Sequence, residues 1–288
     1  MAKRCVFVAV KPVAPVLEVD WLTGKVRTDP RRPVRTPSDE AACAVGLAVA
    51  EALDAELHVI AVAGPAAIDL LRGMLAEGAQ HATRIVIGGD DRDAAGLEEQ
   101  WSSESVAAAL ALVVEPSAVV VCGDASGDRG SGTVPGRLAH LLGVPQALCL
   151  REVAVHDGTI AATRRLDGGR RERLEVTGPC VLSVEPSSGT APRASLPMVL
   201  DAAGGSAPVD VVRVEVAAAR RGDPPGTLSG PYRPRASDIP GPREPHATRR
   251  AVEVAGTLSR RDPPEVLRCD PDAAADAILD RLERWGMR

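Results

Sequence analysis

Short apolar runs alternate with helical periodicities along the first 146 residues. Residues 4–10, RCVFVAV, form a continuous apolar run, the pattern of a strand buried on both faces of a parallel sheet. The sequence Thr36-Pro37-Ser38-Asp39 predicts the start of a helix reaching about Leu53. Thr36 suits the N-cap and Pro37 the first helical position. Asp39 sits in the first turn, where a negative charge gains roughly 0.3–1 kcal/mol from the helix dipole. Residues 57–63 and 83–87 read as further strands, with a helix between them opening at Gly64-Pro65 and reaching about Glu77. Residues 103–114 predict another helix and 117–122 the strand after it. A small hairpin is expected within 16–29, turning at Thr23-Gly24. Strands alternating with helices of this kind predict right-handed crossovers and a doubly wound parallel sheet, a Rossmann-like α/β fold.

Beyond Gln146 the period shortens. Residues 149–155, 160–165, 171–176 and 180–184 read as short strands. The turn sequences His156-Asp157-Gly158 and Asp167-Gly168-Gly169 separate them, so a small antiparallel extension is expected. Residues 204–245 hold eight prolines and six glycines and read as a linker-like, extended arm. Residues 272–285 restore helical spacing, with Ala275, Ile278, Leu279, Leu282 and Trp285 as an apolar stripe. The expected division is an α/β domain over 1–202 and an arm with a terminal helix over 203–288.

Composition narrows the chemistry. The net charge of −5 argues against a nucleic-acid surface. With one Phe and one Tyr, the core is aliphatic, and stacking of bases or flavin rings on aromatic side chains is largely excluded. The cysteines at 5, 43, 122, 149, 180 and 269 show no CxxC spacing and read as reduced thiols of a cytoplasmic protein, with no metal site. No signal peptide and no run near the roughly 18 apolar residues of a membrane helix are expected. The five histidines lack metal spacing; His140 lies just beyond a glycine-rich loop. Asp90, Asp91 and Asp93 read as a solvated loop. No nucleophile, zinc-protease or paired-carboxylate motif occurs, so no catalytic residue is assigned.

The chemistry concentrates in 119–146, VVVCGDASGDRGSGTVPGRLAHLLGVPQ. A β-branched run breaks into a loop with Gly123, Gly127, Gly130 and Gly132. Asp124, Ala125, Ser126, Asp128, Arg129, Ser131 and Thr133 stand between and after them, and Val134 opens the helix carrying Leu138, Leu141 and Leu142. Free backbone N–H groups at a helix start suit a phosphate, and glycine lets the backbone approach it. The alternative is a long surface loop. The spacing is neither GxGxxG nor GxxxxGK[ST].

This stretch resembles the β subunit of electron transfer flavoproteins, whose loop has the form GKQAIDGDxxQVG and whose next helix ends near Trp-Pro-Gln. Here Gly123 opens the loop, Asp128 takes the first acidic position, and Val144-Pro145-Gln146 stands for Trp-Pro-Gln. The register continues from residue 1 to about 202. The resemblance implies an adenine nucleotide, usually AMP, at Ala9, Thr36, Pro37, Ser38, Asp39, Ala63 and the loop from Gly123 to Val134. It implies FAD held mainly by an α subunit, and an electron carrier rather than an enzyme. It also implies a recognition loop over 190–199 that docks a donor dehydrogenase through Leu196, braced by Pro197 and Met198. Such a scheme also implies a quinone-linked acceptor downstream. The chain departs from the pattern: Asn-Pro-Phe is Thr36-Pro37-Ser38, the lysine after the first glycine is Asp124, the second acidic position is Gly130, and the lysine-rich run after the recognition loop is absent. Asp124 opposes a nearby phosphate and Arg129 compensates. Two alternatives stay open: a flavin-bifurcating β subunit holding a second FAD, and a non-redox adenine-nucleotide-binding regulatory domain. A dedicated donor, as in mycofactocin-associated flavoproteins, is one branch the divergence fits.

Overall fold

The computed structural model describes residues 4–14, 17–20, 22, 26–28, 33–88, 101–204, 208–217, 241–242, 244–254 and 266–286. The chain divides into two units, Met1–Tyr232 and Arg233–Arg288.

The first unit is built on one nine-stranded sheet. Its elements are β1 (Cys5–Ala9), α1 (Pro37–Ala52), β4 (Glu56–Val62), α2 (Ile68–Ala76), β5 (His81–Ile87), α3 (Ser103–Ala111), β6 (Val119–Gly123) and α4 (Val134–Leu142). There follow β7 (Gln146–His156), β8 (Thr159–Arg165), β9 (Arg171–Thr177), β10 (Cys180–Val184), α5 (Leu196–Ala203) and β11 (Asp210–Val214). A separate hairpin pairs β2 (Leu17–Val19) with β3 (Val26–Thr28), as the sequence predicts; its Thr23-Gly24 turn lies outside the described residues, as do Asp90, Asp91 and Asp93. The sheet order is β11-β5-β4-β1-β6-β10-β7-β8-β9. Strands from β11 to β7 pair in parallel, and β7-β8-β9 form the antiparallel extension.

Alternation along β1 divides two cores. Val6 and Val8 face Ala42, Val45 and Val49 of α1 and Leu71 and Met74 of α2. Phe7 and Ala9 face Ala107 and Leu110 of α3 and Leu138 of α4. Helices on both faces of a parallel sheet make the doubly wound fold. Full burial of each large aliphatic side chain, such as Ile60 or Leu138, contributes ~1.5–3 kcal/mol. Gly46 allows α1 to lie close on β1: a Cβ there would overlap Val8 Cγ2. That close seating carries the start of α1 to the carboxyl end of β1.

The turn after β7 has Asp157 at φ 50° and Gly158 at φ 78°, the left-handed pair of a tight hairpin. The reading of 204–245 as one extended arm is corrected at its start. Residues 210–214, DVVRV, form β11, which pairs in parallel with β5 at the sheet edge. Proline and glycine content dominated that reading, but they cluster after residue 220 and the β-branched run precedes them. Most of the remaining arm lies outside the described residues.

The second unit contains α6 (Ala247–Val254) and α7 (Pro271–Arg284). Asp270 caps α7 by accepting a 2.9 Å hydrogen bond from the Ala273 N–H. Ile278 and Leu279 on its stripe, and Trp285 just beyond it, are exposed. Among the described residues no helix is long and apolar enough to cross a membrane.

Candidate site at the carboxyl ends of β1 and β6

The chain leaves β1 and builds β4 and β5 on one side, then returns to lay β6 on the other. Strand order therefore reverses at β1/β6, and a crevice opens beyond the carboxyl ends there. Three predicted segments reach it: Ala9 at the end of β1, the start of α1, and the loop that begins at Gly123. Ala63 follows β4, the neighbour of β1 on the other side, and its carbonyl accepts a 3.3 Å hydrogen bond from Arg84 Nη1.

The start of α1 is closed by its own side chains. Thr36 Oγ1 accepts from the Asp39 N–H and Asp39 Oδ2 accepts from the Thr36 N–H, both at 3.4 Å, a reciprocal capping box. Thr36 Oγ1 also donates to Asp39 Oδ2 at 2.9 Å, and the Lys11 N–H reaches Asp39 Oδ1 at 3.4 Å. Thr36, Ser38 and Asp39 are buried while Pro37 is exposed. Burial pushes the Asp39 carboxyl up to about 6, against the hydrogen bonds from Thr36 and Lys11 that favour its ionised form.

The loop rests on this first turn. A Cβ on Gly123 would stand 2.8 Å from Ser38 Cβ, and one on Gly127 would stand 2.9 Å from Thr36 Cγ2. Ser38 Oγ donates to Asp124 Oδ1 at 2.6 Å. The Asp124 N–H donates to the Val184 carbonyl at the end of β10. Lys11 Nζ sits 2.8 Å from Asp128 Oδ1 and 2.7 Å from Oδ2. Burial disfavours the Asp128 carboxylate, but the hydrogen bond and charge of Lys11 outweigh it and hold its pKa at about 2. Arg129 is exposed and its N–H bonds Asp128 Oδ1. The Gly130 N–H bonds the Ser126 carbonyl, Ala125 is half-buried, and Ser131 Oγ lies 3.3 Å from Ser103 Oγ of α3. Gly130 and Gly132 both have φ +61°, which glycine adopts without strain.

The start of α4 differs from that of α1. Thr133 makes no side-chain cap, the first turn holds no acidic residue, and Pro135 has no N–H to offer. The first N–H groups of a helix have no partner inside it. An adenine nucleotide therefore fits with its phosphate at Gly132, Thr133 and Val134, where backbone N–H groups and the dipole favour an anion. It does not fit with its phosphate at the start of α1, which the capping box and the Asp124 carboxylate fill. None of the residues named at the crevice is aromatic, so they offer no stacking face to an isoalloxazine ring.

Lys11 is the residue that sequence reading missed. It stands directly after the β1 run, and a cation at the carboxyl end of a central strand was the available signal. His140 is exposed on the last turn of α4. Leu196, Pro197 and Met198, expected in a loop, form the first turn of α5, where Pro197 suits the start of a helix. Leu196 is 70% exposed and Met198 45%. Burial pushes the thiols of Cys43 and Cys122 up to about 12, leaving them protonated at neutral pH. Among the described residues no group of three or more His, Cys, Asp or Glu could hold a metal ion.

The family model of the electron transfer flavoprotein domain matches residues 33–219, from just before α1 to just after β11. The β subunit of the electron transfer flavoprotein of Syntrophomonas wolfei is 28% identical over 171 residues, 59% of this chain and 64% of that protein. The β subunit from Mycobacterium tuberculosis is 30% identical over 135 residues, 47% of this chain and 48% of its own length. That from Mycobacterium leprae is 32% identical over 126 residues, 43% and 45% of the two chains. The chain thus spans about half to two thirds of the length of these curated relatives. A family match over more than half of the sequence, carried on a doubly wound sheet with its loop at the β1/β6 switch point, leads to one assignment: this chain belongs to the electron transfer flavoprotein domain family, on its β-subunit branch.

Proposed function

We propose that this chain is the β-type half of an electron transfer flavoprotein, a cytoplasmic electron carrier and not an enzyme. The observation that carries the reading is the extent of the family match: 33–219 takes in α1, the glycine loop and α5 together. FAD supplies the electron-carrying chemistry and is held mainly by an α-type subunit, which agrees with the absence of aromatic side chains among the described residues named at the crevice. Gly132, Thr133 and Val134 hold the phosphate of AMP, and Ala9 and Ala63 line the same crevice. Lys11 fixes the loop by pairing with Asp128. The α5 turn bearing Leu196, Pro197 and Met198 docks a donor dehydrogenase, since exposed apolar side chains on a short rigid helix suit an interface anchor. Electrons pass on to a quinone-linked acceptor. The chain beyond β11 clasps the α-type subunit through the apolar stripe of α7.

The test is co-expression with an α-type subunit, followed by size-exclusion chromatography, an absorption spectrum and assay of nucleotides released on denaturation. A yellow heterodimer with one FAD supports the reading. Two flavins per heterodimer replace it with the bifurcating one. A lone colourless monomer that no α-type subunit binds refutes it.

A further inference from the structure

We infer that Asp124 is a specificity residue of the crevice: its carboxylate, fixed by Ser38, admits a nucleoside monophosphate and rejects nucleotides carrying a second phosphate. The inference rests on the reading of the loop as an adenine-nucleotide site.

Three features combine. First, the Asp124 carboxylate is fixed in place. Its Oδ1 receives the Ser38 hydroxyl at 2.6 Å, and its own N–H is tied to the Val184 carbonyl at 3.0 Å. Ser38 is 6% exposed and belongs to a capped helix turn, so the donor is as fixed as the helix. Second, the loop doubles back. A Cβ on Gly132 would stand 2.9 Å from the Asp124 carbonyl oxygen, so Asp124 lies alongside the residue that leads into α4. A phosphate at the start of α4 therefore has Asp124 as its neighbour on the α1 side. Third, one of the loop's cations is committed. Lys11 pairs with both oxygens of Asp128, which stays ionised at neutral pH. One phosphate meets the N–H groups at the start of α4. A second phosphate extending toward α1 meets the Asp124 carboxylate held by Ser38.

The size of the effect follows from charge. A like-charge pair about 6 Å apart, in an effective dielectric of about 40, repels by ~1.4 kcal/mol, about tenfold in affinity. Discrimination between AMP and ADP, or between AMP and the pyrophosphate of FAD, is expected at about that level.

The experiment measures dissociation constants of the full chain for AMP, ADP and FAD by equilibrium dialysis at fixed salt. It compares the native protein with Asp124→Asn and Ser38→Ala. The native chain is expected to prefer AMP by about tenfold. Asp124→Asn removes the charge at unchanged shape and is expected to bring the three affinities within about twofold. Ser38→Ala frees the carboxylate and narrows the preference in the same direction. Native binding of ADP or FAD as tight as that of AMP overturns the inference, as does a preference that survives Asp124→Asn. Failure of native protein and both variants to bind any of the three overturns the nucleotide-site reading itself, and this inference with it.

Discussion

Replacing Gly123 by alanine tests the central geometric feature, the seating of the loop on the first turn of α1. The new Cβ would stand 2.8 Å from Ser38 Cβ, 3.1 Å from Ser38 C and 3.3 Å from Asp39 N. Two of those atoms are backbone. They are held by the capping box and by the 2.9 Å bond from the Glu40 N–H to the Thr36 carbonyl, so the turn cannot give way alone. Either β6 or α1 must shift. Overpacking of this kind costs ~1–3 kcal/mol. At roughly 2–4 °C per kcal/mol for a unit of this size, the melting midpoint falls by about 2–12 °C. Gly73, inside α2, is the control: a Cβ there meets nothing within 4 Å. Gly73→Ala relieves the entropic cost of glycine in a helix and is expected to stabilise by ~0.5–1 kcal/mol. One chemical change thus has opposite signs at two sites. Differential scanning calorimetry of the native chain and the two variants reads both. If Gly123→Ala stabilises as Gly73→Ala does, the loop does not rest on α1 and the account of the crevice is wrong.

Burial lowers the His58 imidazole to about 4, with neighbouring His81 adding to the effect and Asp210 opposing it, against roughly 6.5 in an unfolded chain. The folded state binds this proton more weakly, so the stabilisation is fully present above pH 6.5 and is lost as pH falls from there to 4. Allowing for its partial exposure the loss is ~1–2 kcal/mol, and His58→Gln should flatten the urea midpoint between pH 7 and 5. Arg35 holds Glu77 by two bonds of 2.5 and 2.6 Å, both side chains mostly buried. Arg35→Met is expected to cost ~2–4 kcal/mol by urea denaturation, and a loss under about 1 kcal/mol contradicts a buried pair here. Leu196→Ala removes an exposed side chain and should leave stability within about 0.5 kcal/mol. The same variant should slow electron acceptance from a donor dehydrogenase at least tenfold in stopped-flow assays of flavin reduction, and unchanged kinetics would remove α5 from the docking surface.

Local chemistry was legible in the sequence. The α1 start could be read because cap, proline and first-turn acid lie within four residues, and the structure forms that box. The strands of the parallel sheet could be read because apolar runs of five to seven residues have no other stable place. Partners far apart in the chain could not. Ser38 finds Asp124 across 86 residues and Lys11 finds Asp128 across 117. Composition placed the carboxylates of Asp124 and Asp128 in the loop but not the groups that hold them. β11 was hidden because its five residues stand at the head of a segment rich in proline and glycine. The turn at Leu196 was read as loop because the resembled family carries a recognition loop there, whereas here it opens an eight-residue helix.

The place of β10 has a consequence for the order of assembly. This strand lies between β6 and β7 in the sheet although β7, β8 and β9 all precede it in the chain. The antiparallel excursion must therefore leave a gap that residues 180–184 later fill. Until they do, β6 has β1 on one side and nothing on the other, and the Asp124 N–H lacks the Val184 carbonyl that anchors the loop. Such non-local closure is slow compared with helix formation. On a ribosome, the loop of residues 123–134 leaves the exit tunnel well before its anchor is made. The crevice is thus among the last parts of the sheet domain to mature, and any binding it performs reports that the strand insertion is complete.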